Sequence, residues 1–528
     1  MKRPVSIHLI FYVFFGLLIL VGTVELCAET ARGRVFVDAN RNGTLDPGES
    51  GVSGVLVSNQ HSVVRSDQQG RYEIPLQAGQ VLFLTKPAGY RVPLNNHRLP
   101  QFYYIHSPAG GPEYSYRTTP ATGPLPEHIN FPLYRTVEQD TFTAVVFSDP
   151  QTRDGTEVRY VRDDVITELA GTTAAFGITL GDIMFDDLTH FDHYNEVVAR
   201  SGIPFWNVPG NHDMNFDAPS DSTSLETYKM YYGPTYYAFE YGKVHFILLD
   251  DVRWINEGEE SHYEGWIGDQ QLTWLDNHLD HVERNKFIVL AMHIPLYSKI
   301  NVPSVRVKDL RKLLDVLKGR EQVLALAGHH HMLEQSYIGK EQGRTGTKPI
   351  HMITCAAVSG SWWEGPEDVE GIPVADQRDG VPNGYHLFRF AGTEYTQRYK
   401  AARETASRQM HMTVIPPEKS HSDDKPFRLY VNVYNASPDA RVTCVLNDSL
   451  EISLERTVAR DPSTVELYRK EPALANSWVK PHATDHLWKG ELPEDIQIGL
   501  QAVRVEVTDP YAGDYSAVKF FRVTQAVE

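Results

Sequence analysis

The chain has 528 residues, which is too long for one hydrophobic core and predicts about three domains. Its 50 Lys and Arg residues against 68 Asp and Glu residues give a formal net charge of −18, and no long basic run is present. Affinity for a nucleic-acid backbone depends on clustered Lys and Arg, so no such binding is expected. The net charge does not exclude a nucleotide or another small phosphoester as a ligand.

The first residues have the order of a secretory signal peptide. Lys2 and Arg3 precede an apolar run over 7–22, and a polar boundary follows. We therefore interpret 1–28 as a signal peptide and expect an exported protein, periplasmic or extracellular. The apolar run is also long enough for an uncleaved membrane anchor, which is the alternative and the only membrane attachment that we expect.

Residues 30–135 are predicted to form a small β-sandwich, because short strand-like runs alternate with turn residues. Near its start, oxygen-bearing side chains occupy the first, third, fifth, seventh, ninth and twelfth positions of a loop, with glycine at the sixth. These side chains belong to Asp38, Asn40, Asn42, Thr44, Asp46 and Glu49. This spacing is that of a calcium-binding loop, so we expect structural calcium. An ordinary Asn/Asp/Gly turn is the alternative.

Residues 136–400 have the alternation of an α/β domain. Five apolar runs without helical period predict buried strands at 142–147, 178–180, 205–208, 288–292 and 323–327. Segments with helical spacing lie between them at 158–169, 272–279 and 310–317. A further all-β domain is predicted over 418–528, where strand-like alternation returns after a polar linker. The fold class is therefore α/β, with a small all-β sandwich on each side.

Metal-binding residue types follow each of the five predicted strands. They are Asp149 and Gln151, then Asp182, then Asn211 with His212 and Asp213, then His293, then His329 and His331. Open α/β sheets place their ligands at the carboxyl ends of strands. Hard oxygen donors mixed with imidazoles suit two divalent ions such as Mn, Fe, Zn or Mg better than a thiolate-selected metal. Two such ions can neutralise a phosphate ester and lower the pKa of a water.

Two of the histidines are related by a spacing of two residues. In an extended segment, residues i and i+2 point to the same side, so His329 and His331 are expected to reach one metal pair while His330 points away.

In type and order these motifs resemble those of the calcineurin-like metallophosphoesterases. The matching pieces are Asp149-Pro150-Gln151, Gly181-Asp182, Gly210-Asn211-His212-Asp213, His293 and Gly328-His329-His330-His331. The resemblance implies a calcineurin-like αββα sandwich, and hydrolysis of phosphate esters by a metal-activated water at a two-metal centre. The succession of β domain, phosphoesterase and β domain is similar to that of exported bacterial members of this superfamily.

The resemblance also implies a role for each residue. Asp182 would bridge the metals, and the remaining ligands would divide into two sets. One metal would take Asp149, Gln151 and His331, and the other would take Asn211, His293 and His329. His212 would protonate the leaving oxygen or stabilise the phosphoryl oxygens, with Asp213 holding its ring. A turn cap is the alternative for Asp213.

One position departs from the family pattern. The first motif of the family is most often Asp-x-His, and Gln151 stands in the place of the histidine. An amide oxygen is a harder and weaker donor than imidazole, so we expect a metal preference tilted toward Mn, Mg or Fe over Zn. Late in the predicted α/β domain, just beyond an apolar strand at 350–358, Trp362 and Trp363 form an aromatic pair. It is expected either to wall the substrate pocket or to pack against a neighbouring domain.

Two other functions compete with a phosphohydrolase of small phosphoesters. A nucleotide phosphodiesterase or pyrophosphohydrolase would use the same ligands with different pocket walls. A non-catalytic surface-binding scaffold is the alternative of a different class, and the complete ligand set argues against it. The sequence makes no prediction of substrate identity or oligomeric state.

Overall fold

The computed structural model describes residues 29–300, 306–416, 426–470 and 479–524. The predicted signal peptide, 1–28, lies outside these ranges, as does most of the predicted polar linker that precedes the carboxy-terminal region. Within the described ranges no helix combines the length and apolar character needed to span a bilayer.

Short strands make up the amino-terminal region. Their bounds are β1 (Glu29–Val37), β2 (Leu56–Ser58), β3 (Val63–Arg65), β4 (Arg71–Leu76), β5 (Val81–Leu84), β6 (Tyr90–Arg91), β7 (Tyr103–Ile105) and β8 (Phe131–Arg135). They form two four-stranded sheets, ordered β4-β1-β8-β6 and β3-β2-β5-β7. Strand β4 alternates strictly between exposed and buried residues, so Tyr72, Ile74 and Leu76 face the core.

Two larger sheets form the central region. Their strands, together with one separate hairpin, are β9 (Thr141–Phe147), β10 (Phe176–Leu180), β11 (Phe205–Val208), β12 (Tyr237–Tyr241), β13 (Val244–Leu248), β14 (Val252–Ile255), β15 (His262–Gly265), β16 (Phe287–Ala291), β17 (Val323–Ala327), β18 (Glu334–Ile338), β19 (Ile350–Thr354), β20 (Gly384–Ala391) and β21 (Glu394–Ala401). One sheet has the order β11-β10-β9-β20-β21 and the other β12-β13-β16-β17-β19-β18, while β14 pairs with β15 alone.

Helices connect the strands of these sheets. They are α1 (Gly155–Val161), α2 (Thr167–Leu169), α3 (Phe191–Ala199), α4 (Glu226–Tyr232), α5 (Asp269–Leu279) and α6 (Leu310–Val316). A π-helical turn, Arg162–Ile166, joins α1 to α2. Helix α1 begins earlier than predicted because the Asp154 carboxylate accepts hydrogen bonds from the backbone N–H groups of Thr156 and Glu157.

The five predicted strands are confirmed, and each is parallel to at least one neighbour. β9, β10 and β11 are mutually parallel, as are β13, β16, β17 and β19. Parallel strands covered on both faces are apolar along their whole length, and every residue of β10, β11, β16 and β17 is buried. The result is the expected sandwich of two mixed sheets with helices outside.

The carboxy-terminal region contains two further four-stranded sheets. Its elements are β22 (Met410–Ile415), β23 (Arg428–Val433), β24 (Arg441–Leu446), β25 (Leu450–Ile452), β26 (Glu455–Arg460), α7 (Pro462–Lys470), β27 (Ala483–Glu491), β28 (Gly499–Asp509) and β29 (Gly513–Val523). The sheets are ordered β22-β23-β27-β26 and β25-β24-β28-β29. Strand β22 pairs with β23 ahead of the predicted boundary at 418, so this region begins earlier than the linker composition indicates.

The two flanking regions differ in how they are attached. The amino-terminal sheets share one continuous hydrophobic core with the central sandwich. In that core the ring of Phe102 lies 5.2 Å from Trp206, and Phe83 packs edge-on to Trp274 at 6.2 Å. The carboxy-terminal sheets have a core of their own. Cys355 and Cys444 are buried and unpaired in these separate cores.

Candidate metal centre

The predicted ligands meet where the two central sheets present their carboxyl ends. The loops after β9, β10 and β11 carry Asp149, Gln151, Asp182 and Asn211, and the loops after β16 and β17 carry His293, His329 and His331. All but His329 are buried, with at most 2 % of each residue exposed. The structure therefore brings all seven residues to one place between the sheets.

Short distances link these side chains into one cluster. His293 Nε2 lies 3.3 Å from Asp182 Oδ2, 3.1 Å from Asn211 Oδ1 and 2.9 Å from His329 Nδ1. Asp182, His293 and His329 each offer one ligand atom within 4.8 Å of the others. The same carboxylate reaches the other predicted set, since Gln151 Nε2 lies 3.3 Å from Asp182 Oδ2. Asp182 thus has the central position expected of a bridging ligand.

Backbone carbonyls orient two of the imidazoles. Nδ1 of His293 lies 2.8 Å from the Leu180 carbonyl, and Nδ1 of His331 lies 2.5 Å from the Gly360 carbonyl. A ring that donates through Nδ1 presents Nε2 as the ligand atom. His331 Nε2 accordingly faces Asp149, 3.6 Å from its Oδ1.

The buried carboxylates of this cluster favour a bound cation. Burial opposes protonation of His293, but the carboxylates of Asp182 and Asp149 outweigh it and raise the pKa of His293 to about 10. Burial raises the pKa of Asp149 to about 7. Oε1 of Gln151 is buried without a hydrogen-bond partner among the described residues. A divalent ion would replace the proton on His293 and give that amide oxygen a partner, so the donor set fits metal ions.

Five of the seven predicted ligands have left-handed backbone. The φ angles are 46° at Asp149, 41° at Gln151, 49° at Asp182, 73° at His329 and 51° at His331. This conformation costs about 1–3 kcal/mol per non-glycine residue and persists only where surrounding structure imposes it. It also corrects the prediction of an extended segment at 329–331, because left-handed turns rather than strand alternation place His329 and His331.

Two motif glycines give the ligand loops room to approach. A Cβ at Gly210 would lie 2.1 Å from the Asp182 backbone nitrogen, and a Cβ at Gly328 would lie 2.5 Å from Asp149 Oδ2. Gly210 has an ordinary extended conformation, with φ −116°. Its role is therefore close packing against Asp182.

His212 lies beside the cluster with its ring held by a different carboxylate from the one predicted. Nδ1 of His212 is 2.6 Å from Asp186 Oδ1, and its backbone N–H donates to Asp182 Oδ1 at 2.9 Å. Asp213 instead accepts backbone hydrogen bonds from Gly210, Ile183 and Met184. The predicted contact of Asp213 with the ring is thus wrong, and the alternative, a cap, describes its position.

Aromatic rings line the approach to the ligands. Trp362 stacks on His331 at 4.0 Å, Phe185 stacks on His212 at 4.7 Å, and Tyr263 lies edge-on to His329 at 5.7 Å. Trp363 is only 4 % exposed and donates from Nε1 to the Pro150 carbonyl at 3.0 Å. The tryptophan pair is therefore divided, one ring at the site and one in the core.

Sequence reasoning missed several residues around the ligands. Besides Asp186, these include Asp251, whose carboxylate accepts from the backbone N–H groups of His293 and Ile294 at 3.1 and 3.0 Å. Asp186 follows Asp182 in an acidic loop, and Asp251 follows a buried strand, so the strand-end rule that found the ligands applies to both. Nothing in the sequence pattern indicates Tyr263, which arrives on the β14–β15 hairpin.

The predicted calcium loop lies at the surface of the amino-terminal region. Asp38 is 2 % exposed and accepts backbone hydrogen bonds from Arg41 and Gly43. Glu49 closes the loop by accepting from the backbone N–H groups of Ala39 and Asp46 at 2.8 and 3.0 Å. Asn40 and Asn42 both donate to Asp46 Oδ2 at 2.8 Å, while Thr44 donates through its backbone N–H to Asn42 Oδ1.

The chain is similar in sequence to known proteins over parts of its length. The family described as the N terminal of calcineurin-like phosphoesterase matches residues 39–120, and the C terminal of calcineurin-like phosphoesterase matches 353–515. A probable glycerophosphodiester phosphodiesterase, GpdQ, of Arcobacter nitrofigilis is 27 % identical over 187 residues, which is 33 % of this chain and 63 % of that protein. Purple acid phosphatase 22 of Arabidopsis thaliana is 23 % identical over 251 residues, 44 % of this chain and 50 % of its own length.

A solved structure also matches in part. Purple acid phosphatase PPD1 from yellow lupin (Lupinus luteus) seeds is similar over 71 % of this chain and 67 % of that chain, at 11 % identity and a TM-score of 0.36. The chain spans 63 % and 50 % of the lengths of the two curated relatives.

The fold and the ligand cluster have the features of a metallophosphoesterase. The chain thus carries both the N-terminal and the C-terminal domain described for calcineurin-like phosphoesterases.

Proposed function

We propose that this protein is an exported metal-dependent phosphohydrolase that acts on small phosphoesters. The observation that carries the proposal is the convergence of six predicted ligands from both sheets around the seventh, Asp182. The Gln151 amide oxygen has no hydrogen-bond partner among the described residues. A scaffold without activity would have no need to hold five ligands in left-handed backbone, which is costly to maintain.

The ligands divide into two sets around Asp182. Asp149, Gln151 and His331 would hold one ion, and Asn211, His293 and His329 the other. Two divalent ions in this position neutralise the phosphoryl oxygens and lower the pKa of a water.

His212 would supply the proton that the leaving oxygen needs. An alkoxide leaves poorly unless it receives a proton as its bond to phosphorus breaks. Burial lowers the pKa of His212, but the Asp182 and Asp186 carboxylates outweigh burial and raise it above its usual value. This shift favours the protonated ring, and Asp186 holds it next to the ligand cluster, where it would donate to the leaving oxygen.

The second candidate is a nucleotide phosphodiesterase or pyrophosphohydrolase. The rings of Trp362, Phe185 and Tyr263 beside the ligands favour it, because a planar base gains stacking energy on such surfaces. One relative is named as a probable phosphodiesterase and the other as a phosphatase, so the relatives support phosphoester hydrolysis without separating the two candidates.

Structural calcium and export complete the proposal. The ligand spacing from Asp38 to Glu49 and the closed form of that loop support a calcium ion that stabilises the amino-terminal region. The charge and hydropathy order of 1–28 support export by a signal peptide, with the uncleaved anchor as the alternative.

A metal-reconstitution assay tests the hydrolase proposal. The protein is stripped with a chelator, reloaded separately with Mn, Fe, Zn or Mg, and assayed on alkyl monoesters, diesters, nucleotides and diphosphates. Hydrolysis that returns only with metal is expected, and a marked preference for nucleotide substrates would select the second candidate. Absence of turnover with every ion and every substrate class would contradict the proposal.

A further inference from the structure

A cavity lies at the opposite edge of the central sandwich from the metal ligands. It has a volume of about 670 Å³ and is lined where β9, β10 and β11 begin, by Thr141, Phe176 and Pro204 among others. The ligands follow the carboxyl ends of the same strands. At about 3.3 Å per residue, the length of β9 separates cavity and ligands by roughly 20 Å. The two sites are therefore distinct.

The cavity lies between the amino-terminal region and the central sandwich. Arg91, Leu94 and Arg98 contribute from the first of these and Arg389 from β20 of the second. Ligand sites form preferentially at such junctions, with volumes of about 300–1,000 Å³. Its size and position are thus those of a small-molecule site.

The charge of the lining is opposite to that of the whole chain. Arg91, Arg98 and Arg389 line the cavity, and across the described residues no carboxylate forms an ion pair with any of them. The lining also contains Lys86 and Glu138, but these two form a buried ion pair with each other. Three guanidinium groups therefore remain for a ligand in a protein whose net charge is −18.

One of these arginines has a constrained backbone. Arg98 has φ 58°, and its N–H donates to the Asn95 carbonyl at 2.9 Å. The Asn95 side chain also accepts from the backbone N–H groups of His97 and Leu99. These hydrogen bonds hold the turn together. The surrounding loop therefore fixes the left-handed backbone conformation of Arg98.

The inner wall is aromatic. Phe142, Phe176 and Trp206 line it and belong to the shared core, while Tyr241 is partly exposed. A lining that combines buried aromatic residues with exposed guanidinium groups suits a ligand with two unlike ends.

We propose that this cavity binds a small amphipathic anion. A carboxylate or phosphate group would be held by Arg91, Arg98 and Arg389, and an apolar body would lie against Phe142 and Trp206. Guanidinium groups bind both kinds of oxyanion through paired N–H donors, so the shared chemistry is a planar or tetrahedral oxyanion on an apolar body.

Binding of 8-anilinonaphthalene-1-sulfonate to the full chain tests the proposal. This probe carries one anionic group on aromatic rings and fluoresces in apolar surroundings. Saturable binding is expected, and Arg91→Gln combined with Arg98→Gln should weaken it by about tenfold or more through the loss of charged hydrogen bonds. Arg522→Gln, an exposed arginine on β29, is the matched control and should leave the affinity unchanged.

A neutral probe separates charge from general apolar binding. N-phenyl-1-naphthylamine should bind wild type and the double variant equally, whereas Ala175→Trp, which fills the cavity, should reduce the binding of both probes. Phenylphosphonate, whose P–C bond a phosphoesterase does not cleave, and benzoate should compete with the anionic probe, and their relative strength distinguishes a phosphate-like from a carboxylate ligand. Phosphoester hydrolysis by the arginine variants should stay at the wild-type rate, so this test is independent of the metal centre.

Three results would overturn the proposal. They are the absence of saturable binding by wild type, equal affinity of the anionic probe for wild type and the double variant, and failure of both phenylphosphonate and benzoate to compete.

Discussion

Nδ1 of His212 lies 2.6 Å from Oδ1 of Asp186. The carboxylate that fixes this ring comes from the loop after β10, although Asp213 is adjacent to His212 in sequence. Two adjacent residues of one motif therefore have different roles. The His212 ring lies beside the ligand cluster, whereas the Asp213 carboxylate links the loops after β10 and β11 by accepting backbone hydrogen bonds from both.

Removal of the His212 ring should separate proton donation from metal binding. His212→Ala is expected to keep both metals and to lose about 10²–10⁴-fold in rate on an alkyl phosphate. The loss should be markedly smaller on a nitrophenyl ester, whose phenolate leaves without a proton. Metal analysis and kcat on the two substrates measure this. Equal losses would mean that the ring acts only as an electrostatic clamp, and loss of metal would place it in the ligand set.

The two aspartates should respond differently to the same change. Asp186→Asn weakens the hold on His212 and should lower kcat on alkyl phosphates with little change in Tm. Asp213→Asn replaces a fully buried carboxylate that accepts three backbone hydrogen bonds, so it should cost about 1–3 kcal/mol of stability. Thermal melting and kcat of both variants decide this, and the reverse pattern would contradict the assignment.

Gln151 should set metal preference rather than activity. Gln151→His is expected to remain active and to shift preference toward Zn, because imidazole is the softer donor. Activity after reconstitution with Mn, Mg, Fe or Zn measures the shift. A variant that neither folds nor binds metal would show that Gln151 packs and does not ligate.

Calcium should stabilise the protein without entering the chemistry. A ligand bound only by the native state adds about 2.7 kcal/mol at a hundredfold excess over Kd. The Tm of the full chain should therefore rise with calcium, and Glu49→Ala should lose that rise while it keeps hydrolytic activity. The full chain is required, because the amino-terminal sheets share their core with the central sandwich. A Tm independent of calcium would make the loop an ordinary turn.

Much of the central fold follows from local sequence. Strands such as β16 and β17 are apolar throughout because parallel strands are covered on both faces, and that leaves an unmistakable run. The ligands could be predicted because each directly follows such a strand.

Other features depend on contacts between distant segments. The contact of Asp186 with His212 depends on how two loops fold back on each other. The left-handed backbone at His329 and His331 and the close approach of Gly328 to Asp149 belong to a loop conformation that no periodicity encodes. The fusion of the amino-terminal core with the sandwich depends on pairs such as Phe102 and Trp206, which are far apart in sequence.

The most direct test of the two-metal centre is Asp182→Asn. Wild type should contain two divalent ions per chain and hydrolyse phosphoesters, and the variant should lose both bound metal and turnover, because an amide cannot neutralise two cations as a bridging carboxylate does. Metal content by mass spectrometry and kcat are measured on the same samples. A variant that retains the metal content and the activity of wild type would contradict the central claim that Asp182 bridges the metals of this site.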